Sequence, residues 1–328
     1  ADFLVKGLSL SGRDRKMTKL LDYHTFVETD YSRFDMTISL EWLELVQNYI
    51  LKSCYPDNRL VHTALDLSLI TKGVSATGWF YDVIGTRCSG DAHTSIGNGL
   101  LNMFNTYLVF GDVNDVCAFH EGDDGVIALK LNDAHHARQV NLLTSCGFVI
   151  KKFVTTDINT VSFCGRFLAQ VGSKLVSYAD PLRSMSKLHI TTSTGPLPEL
   201  LLAKMMSYAH TDQCTPIIGP LTTSIVKLLK PLYSARVMRR VLRDRYVLRD
   251  TKPIFNFDYK EVNERLRSAF SLRTGVSISN QIAAEEYYRK AFSKFIPERI
   301  EQVEFGHEVA LHKDSAEVHY MPTVHSWA

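Results

Sequence analysis

Apolar and polar positions along the chain follow two rhythms. Near the N-terminus "HTFVETD", from His24 to Asp30, reads as a short strand ending at a carboxylate. Ser39 then stands where a helix cap belongs, and Leu40, Leu43, Val46, Ile50 and Leu51 form a helical stripe behind it. Residues 55–90 are looser, with Pro56 and several glycines. "TSIGNGLLNMFNTYLVF" predicts a helix from Thr94 despite Gly97 and Gly99, each costing about 1 kcal/mol against Ala. Glycines kept inside a helix mark close approach by another group. Val116–His120 and Val126–Lys130 read as two strands of a hairpin whose tip is Gly-Asp-Asp-Gly. Asp133 can cap a helix running to Cys146, Gly147 can end it, and "FVIKKFV" follows as a strand.

The order is strand, helix, strand, strand, helix, strand, which is the ferredoxin-like α+β pattern with an insertion after the first strand. In that topology the first strand lies beside the central hairpin of an antiparallel sheet. Asp30 is therefore expected to meet Asp123 across the sheet, although the two are remote in sequence. Beyond about residue 185 the chain reads as mainly helical, with Pro and Gly breaks near 195–198 and 216–220. Lys227 to Arg249 is strongly basic, with Asp244 its single acid, and suits either RNA phosphates or a solvated helical face.

Composition narrows the class without naming a function. At 328 residues the chain has room for two or three domains, and 45% hydrophobic with 22% charged residues fits an ordinary globular protein. No run approaches the length of a membrane span, and no signal pattern opens the chain. Six scattered cysteines without a Cys-x-x-Cys pair argue for free thiols and against zinc or a disulfide frame. His307, His312, His319 and His325 have spacings that fit no common zinc site. A net charge of +2 does not announce a nucleic-acid partner. An initial Ala rather than Met suggests a processed product or a partial sequence.

The hairpin tip carries the chemistry. Asp123 and Asp124 repel each other, and convergence with Asp30 would sharpen the demand for a counter-charge. Mg²⁺ suits such a site, being a hard ion held by one or two carboxylates together with water and phosphate oxygens. Two such ions can clamp the attacking and leaving oxygens of a phosphoryl transfer. The flanking glycines are expected to let phosphate and metal approach the backbone. Asp35 follows five residues after Asp30, and Thr94 and Asn98 share a helix face. An Asn98 amide that meets the Asp35 carboxylate could hold it ready for a ribose 2′-OH.

These stretches together resemble one family. Residues 29–35, 88–106 and 119–126, with "DYSRFD", "SGDAHTSIGN" and "EGDD", resemble motifs A, B and C of the RNA-directed RNA polymerases of positive-strand RNA viruses, closest to the tombusvirus- and nodavirus-like groups. "SFCGRFL", residues 162–168, resembles motif E, the hairpin that supports the primer end. The resemblance implies a right-hand polymerase with a ferredoxin-like palm, a mainly helical thumb, and fingers largely absent. Residues 1–23 would be the tail of the fingers, 24–185 the palm with a fingers-like insertion at about 55–87, and 186–328 the thumb and tail. It implies that Asp30, Asp123 and Asp124 bind two Mg²⁺ or Mn²⁺ ions and that Asp35 and Asn98 select the ribose. Ser89 and Gly90 would form a loop contacting template and incoming nucleotide, Thr94 would support Asp35 and Asn98, and Arg33 would brace its turn. A lysine would protonate the departing pyrophosphate, with Lys151 and Lys152 as candidates.

The implied partners are an RNA template, the nascent strand, ribonucleoside triphosphates and other viral replication proteins. The implied location is the host cytoplasm, in replication complexes that reach membranes through another region or partner. Two other classes would use part of this pattern. An untemplated metal-dependent nucleotidyltransferase or nuclease needs the acids but not the Asp35–Asn98 pair. A non-catalytic RNA-binding or assembly module could retain the palm core alone.

Overall fold

The structure, a computed structural model, describes residues 3–110, 116–130, 142–188, 190–191, 195–234, 236–237, 240, 261–293 and 319–320. The chain divides into two compact units, Ala1–Val176 and Ser177–Ala328.

The first unit is built on strand β1 (Thr25–Tyr31). A helical run follows β1 in three parts: Leu40–Trp42, a π-helical Leu43–Asn48, and Tyr49–Cys54. Ser39 caps it, accepting from the Trp42 N–H at 3.5 Å. The insertion is more ordered than its sequence implied. It holds helix Arg59–Leu67 and a hairpin of β2 (Ile70–Val74) and β3 (Phe80–Ile84). Helix Thr94–Phe110 leads to β4 (Val116–Glu121) and β5 (Asp124–Leu129). The expected helix from Asp133 lies largely outside the described residues; a helical turn at Leu142–Ser145 stands near its expected end, followed by Gly147 at φ 91°. β6 (Ile150–Thr155) completes a sheet of order β4-β5-β1-β6, the ferredoxin-like order foreseen from the sequence. All its pairings are antiparallel.

Alternation along β1 and its neighbours divides the core by face. Val27 and Tyr31 join Ala118, Ile127 and Leu101 of helix Thr94–Phe110 on one side. Phe26, Cys117, Phe119, Val126 and Ala128 face the other, packed with Phe163, Leu168 and Leu175. That second side is covered by a small sheet of β7 (Ser162–Phe163), β8 (Arg166–Val171) and β9 (Lys174–Ala179). Glu28 fastens the small sheet to β1, accepting from the Ser162 N–H at 2.8 Å and its hydroxyl at 2.7 Å. The N-terminal segment lies along β4, where the His120 N–H donates to the Phe3 carbonyl at 2.8 Å.

The second unit is mainly helical, with helices Pro181–Leu188, Leu197–Thr211, Ile218–Leu229, Glu264–Thr274 and Ile278–Ser293. A short pair joins β10 (Ile190–Thr191) to β11 (His319–Tyr320). A buried Arg267 donates two parallel bonds to Glu285, at 2.8 and 2.9 Å. The same carboxylate accepts from the Ile217 N–H at 2.9 Å. Much of the basic 227–249 segment lies outside the described residues; within them, Arg240 pairs with Glu199 at 2.8 Å. No helix among the described residues is long and apolar enough to cross a membrane.

Candidate active site

Register brings the acids together. β1 and β5 pair Thr29 with Gly125, so the next step sets Asp30 at the level of Asp124. Asp123 is one position further, inside the two-residue turn between Glu121 and Asp124. The facing residue is therefore Asp124, and Asp123 joins from the turn above it. Asp123 is held above the ordinary carboxylate range, first by burial and then by the negative charges of Asp35 and Asp30. That repulsion is what a hard cation would relieve, and an all-carboxylate donor set suits one. Among the described residues, no three His, Cys, Asp or Glu side chains already stand as a ready metal cluster.

The hairpin tip is held from both sides. Asn102 Nδ2 lies 3.0 Å from the Asp123 carbonyl, 3.4 Å from that of Gly122 and 3.5 Å from that of Asp124. Its own Oδ1 accepts from the Tyr31 hydroxyl at 3.2 Å, whose pKa burial pushes up to about 12. Glu121, just before the turn, is paired by Arg13 and, at 3.6 Å, by Lys6. His120 is fully buried against Thr106 at 3.0 Å and kept neutral by that burial, with its pKa lowered to about 3.

The two glycines that flank the aspartates are small for different reasons. Gly122 has φ 66°, the left-handed backbone the turn requires, with nothing within 4 Å of where a Cβ would be. A Cβ on Gly125 would collide with Thr29 Oγ1 and sit 2.8 Å from His120 Nδ1. Gly125 is small because its cross-strand neighbours fill the space above it.

A second cluster stands at the start of helix Thr94–Phe110. Asn98 Nδ2 donates to the Asp35 carboxylate at 2.6 Å, and the Ser89 hydroxyl donates to its other oxygen. Gly90 has nothing within 4 Å of where a Cβ would be. The Thr94 hydroxyl makes no hydrogen bond to Asp35 or Asn98. It donates to the Cys88 and Asp91 carbonyls, both at 2.9 Å, closing the loop that carries Ser89. Arg33 has φ 54°, and its carbonyl accepts from the Met36 and Thr37 N–H groups, so its backbone braces the turn before Asp35. Lys151 pairs with Asp30 and Lys152 with Thr29, which puts only Lys151 on the Asp30 face of the sheet.

Sequence reading found Asn98 but missed the polar groups that continue from it. Asn98, Asn102 and Asn105 recur at i, i+4 and i+7 along a largely apolar helix, and all three are buried. That spacing was a readable signal of a polar seam. Arg87 and Gln47, both buried, gave no such sign.

Known proteins share this chain's fold and parts of its sequence. The fold is like that of the RNA-dependent RNA polymerase of a human picorbirnavirus, with a TM-score of 0.54 at 15% identity over 70% of this chain and 46% of that one. The RNA-directed RNA polymerase of Pariacoto virus is 31% identical over 226 residues, covering 62% of this chain and 22% of the relative. That of Greasy grouper nervous necrosis virus is 32% identical over 204 residues, covering 59% and 20%. That of Oat chlorotic stunt virus is 37% identical over 111 residues, covering 32% and 15%. The chain thus spans about a fifth of the length of the first two relatives. The model of the family described as viral RNA dependent RNA polymerase matches residues 6–294, a span that takes in the strand of Asp30, the hairpin of Asp123 and the helices of the second unit, and the chain belongs to that family.

Proposed function

We propose that this chain is the palm and thumb portion, about 24–185 and 186–328, of an enzyme that adds ribonucleotides to an RNA 3′-OH as directed by an RNA template. The observation that carries the reading is the Asp35 carboxylate held by Asn98 and Ser89 beside the acidic hairpin. Acids alone serve many phosphoryl-transfer enzymes, whereas a tethered acceptor beside them suits a substrate sugar bearing a 2′-OH. Asp30, Asp123 and Asp124 would hold two divalent cations, Mg²⁺ or Mn²⁺, which when bound neutralise triphosphate charge and stabilise the entering and leaving oxygens.

The protein's own part is positioning. Asn102 fixes the backbone of the hairpin so that its carboxylates project from a rigid tip. Asp35 and Asn98 read the sugar, and the Ser89–Gly90 loop meets template and nucleotide. Lys151, on the Asp30 face, is the better placed lysine to give its Nζ proton to the departing pyrophosphate. Other viral replication proteins would be partners, and membrane-associated complexes in the host cytoplasm the setting.

The test is labelled-nucleotide incorporation by a full-length protein carrying this chain. Asp123→Asn and Asp30→Ala are expected to abolish template-dependent incorporation while leaving the fold intact by circular dichroism. Incorporation that ignores the template, or that survives either substitution, would overturn the reading.

A further inference from the structure

Arg87 is a buried cation inside the candidate site, and its neighbours define what it does. Its Nε donates to Asn98 Oδ1 at 3.1 Å, and its Nη2 donates to Gln47 Oε1. Its backbone N–H donates to the Asp35 carbonyl at 2.7 Å. A guanidinium has donors only. It can therefore donate to just one end of the Asn98 amide, the oxygen, which leaves Nδ2 turned toward Asp35 at 2.6 Å. The side chain that meets Asp35 is fixed from behind.

Gln47 completes the support. Its oxygen faces Arg87, while its Nε2 donates to Asn48 Oδ1 at 3.2 Å and lies 3.3 Å from His93 Nε2. It reaches this position from the π-helical segment Leu43–Asn48, whose wider turn carries Gln47 and Asn48 into the interior. Gly97 makes room on the other side. A Cβ there would sit 2.5 Å from Gln47 Oε1 and 2.7 Å from Arg87 Nη2. The helix lacks a side chain at the point where the two polar tips land.

We propose that Gln47 and Arg87 are positioning residues for sugar selection, setting the orientation of the Asn98 amide that holds Asp35. The inference rests on the ribose-reading role of the Asp35–Asn98 pair. Neither residue touches the nucleotide; both act through Asn98.

The experiment measures kcat/KM for a ribonucleotide and its 2′-deoxy counterpart on one template, in a full-length protein carrying this chain. Gln47→Ala removes the acceptor of Arg87, and Gly97→Ala crowds both tips from the helix. Each is expected to lower the ribo-to-deoxy ratio by about 3–10-fold, through the ribonucleotide KM. Gln47→Glu, which keeps an acceptor, retains the ratio. Adding Gln47→Ala to Asn98→Ala changes the ratio no further, since the group it orients is gone. A purely structural role would lower both nucleotides alike and leave the ratio unmoved, and that result overturns the inference. If Asn98→Ala shifts the ratio while Gln47→Ala and Gly97→Ala do not, the inference alone fails. If Asn98→Ala itself leaves the ratio unchanged, the ribose reading fails and the inference falls with it.

Discussion

Asn102 holds the carbonyl of Asp123 at 3.0 Å, gripping the backbone of the hairpin tip. The neighbouring carbonyls of Gly122 and Asp124 fall at the longer distances of 3.4 and 3.5 Å. One amide thus sets the height of the turn relative to the helix. Asn102→Ala should lower kcat by about 10–100-fold, because small displacements of reacting groups cost that much. Its ribo-to-deoxy ratio should stay at the wild-type value, which separates it from Asn98. Single-turnover incorporation with both sugars checks this, and a changed ratio would contradict the division of labour along the helix.

Asp123 makes stability depend on pH in a definite sense. Burial and the charges of Asp35 and Asp30 raise its folded pKa. Between the ordinary carboxylate range and that raised value the folded state binds more protons than the unfolded one, so this group's contribution to stability falls as pH rises. At neutral pH the ionised group is a liability in the absence of cations. Asp123→Asn should therefore raise Tm in EDTA, by about 2–4 °C. Added Mg²⁺ should stabilise the wild type more than the variant, and less as the pH is lowered. Thermal melts across pH, with and without Mg²⁺, measure both; a lower Tm for the variant in EDTA would reject the charge-repulsion account.

Gly125 should not tolerate even a methyl group. Gly125→Ala presses on Thr29 and His120, and the strain is expected to cost about 1–3 kcal/mol. Since Thr29 Oγ1 is the nearest atom, Thr29→Ala should recover part of the loss in the double variant. Urea unfolding of the two single variants and the double gives the coupling; strict additivity would show that the contact is not the cause.

In the second unit, Glu285→Ala leaves the Arg267 guanidinium buried without its carboxylate and frees the Ile217 N–H. The expected loss is about 3–5 kcal/mol. Denaturant unfolding measures it, and a change under 1 kcal/mol would mean that solvent reaches the pair.

Legibility followed the number of faces each element buries. β1, β4 and β5 bury most of their positions on both faces, and their apolar patterns placed the hairpin and the topology correctly. The hairpin of β2 and β3 is largely exposed along both strands, so no buried face marked it, and the stretch read only as loose. Asp35 and Asn98 could be paired from sequence because their chemistry is complementary and the helix start was clear. Gln47 and Arg87 could not. Gln47 sits among apolar helix positions, 40 residues from the Arg87 that satisfies it, and no local rule links the two. Thr94 meets Asp35 only through the loop that carries Ser89. It shares a face with Asn98, but its hydroxyl found nearer acceptors in the preceding loop.

The segment beside β4 has a consequence for solubility. In the order β4-β5-β1-β6, β4 is an outer strand, and such a strand offers open N–H and C=O groups to any other chain. Phe3 and Val5 occupy those groups at His120, and Leu4 bridges the same residue. A version of the chain without these few residues would bare an adhesive border next to the acidic turn, and self-association would begin beside Glu121 and Asp123.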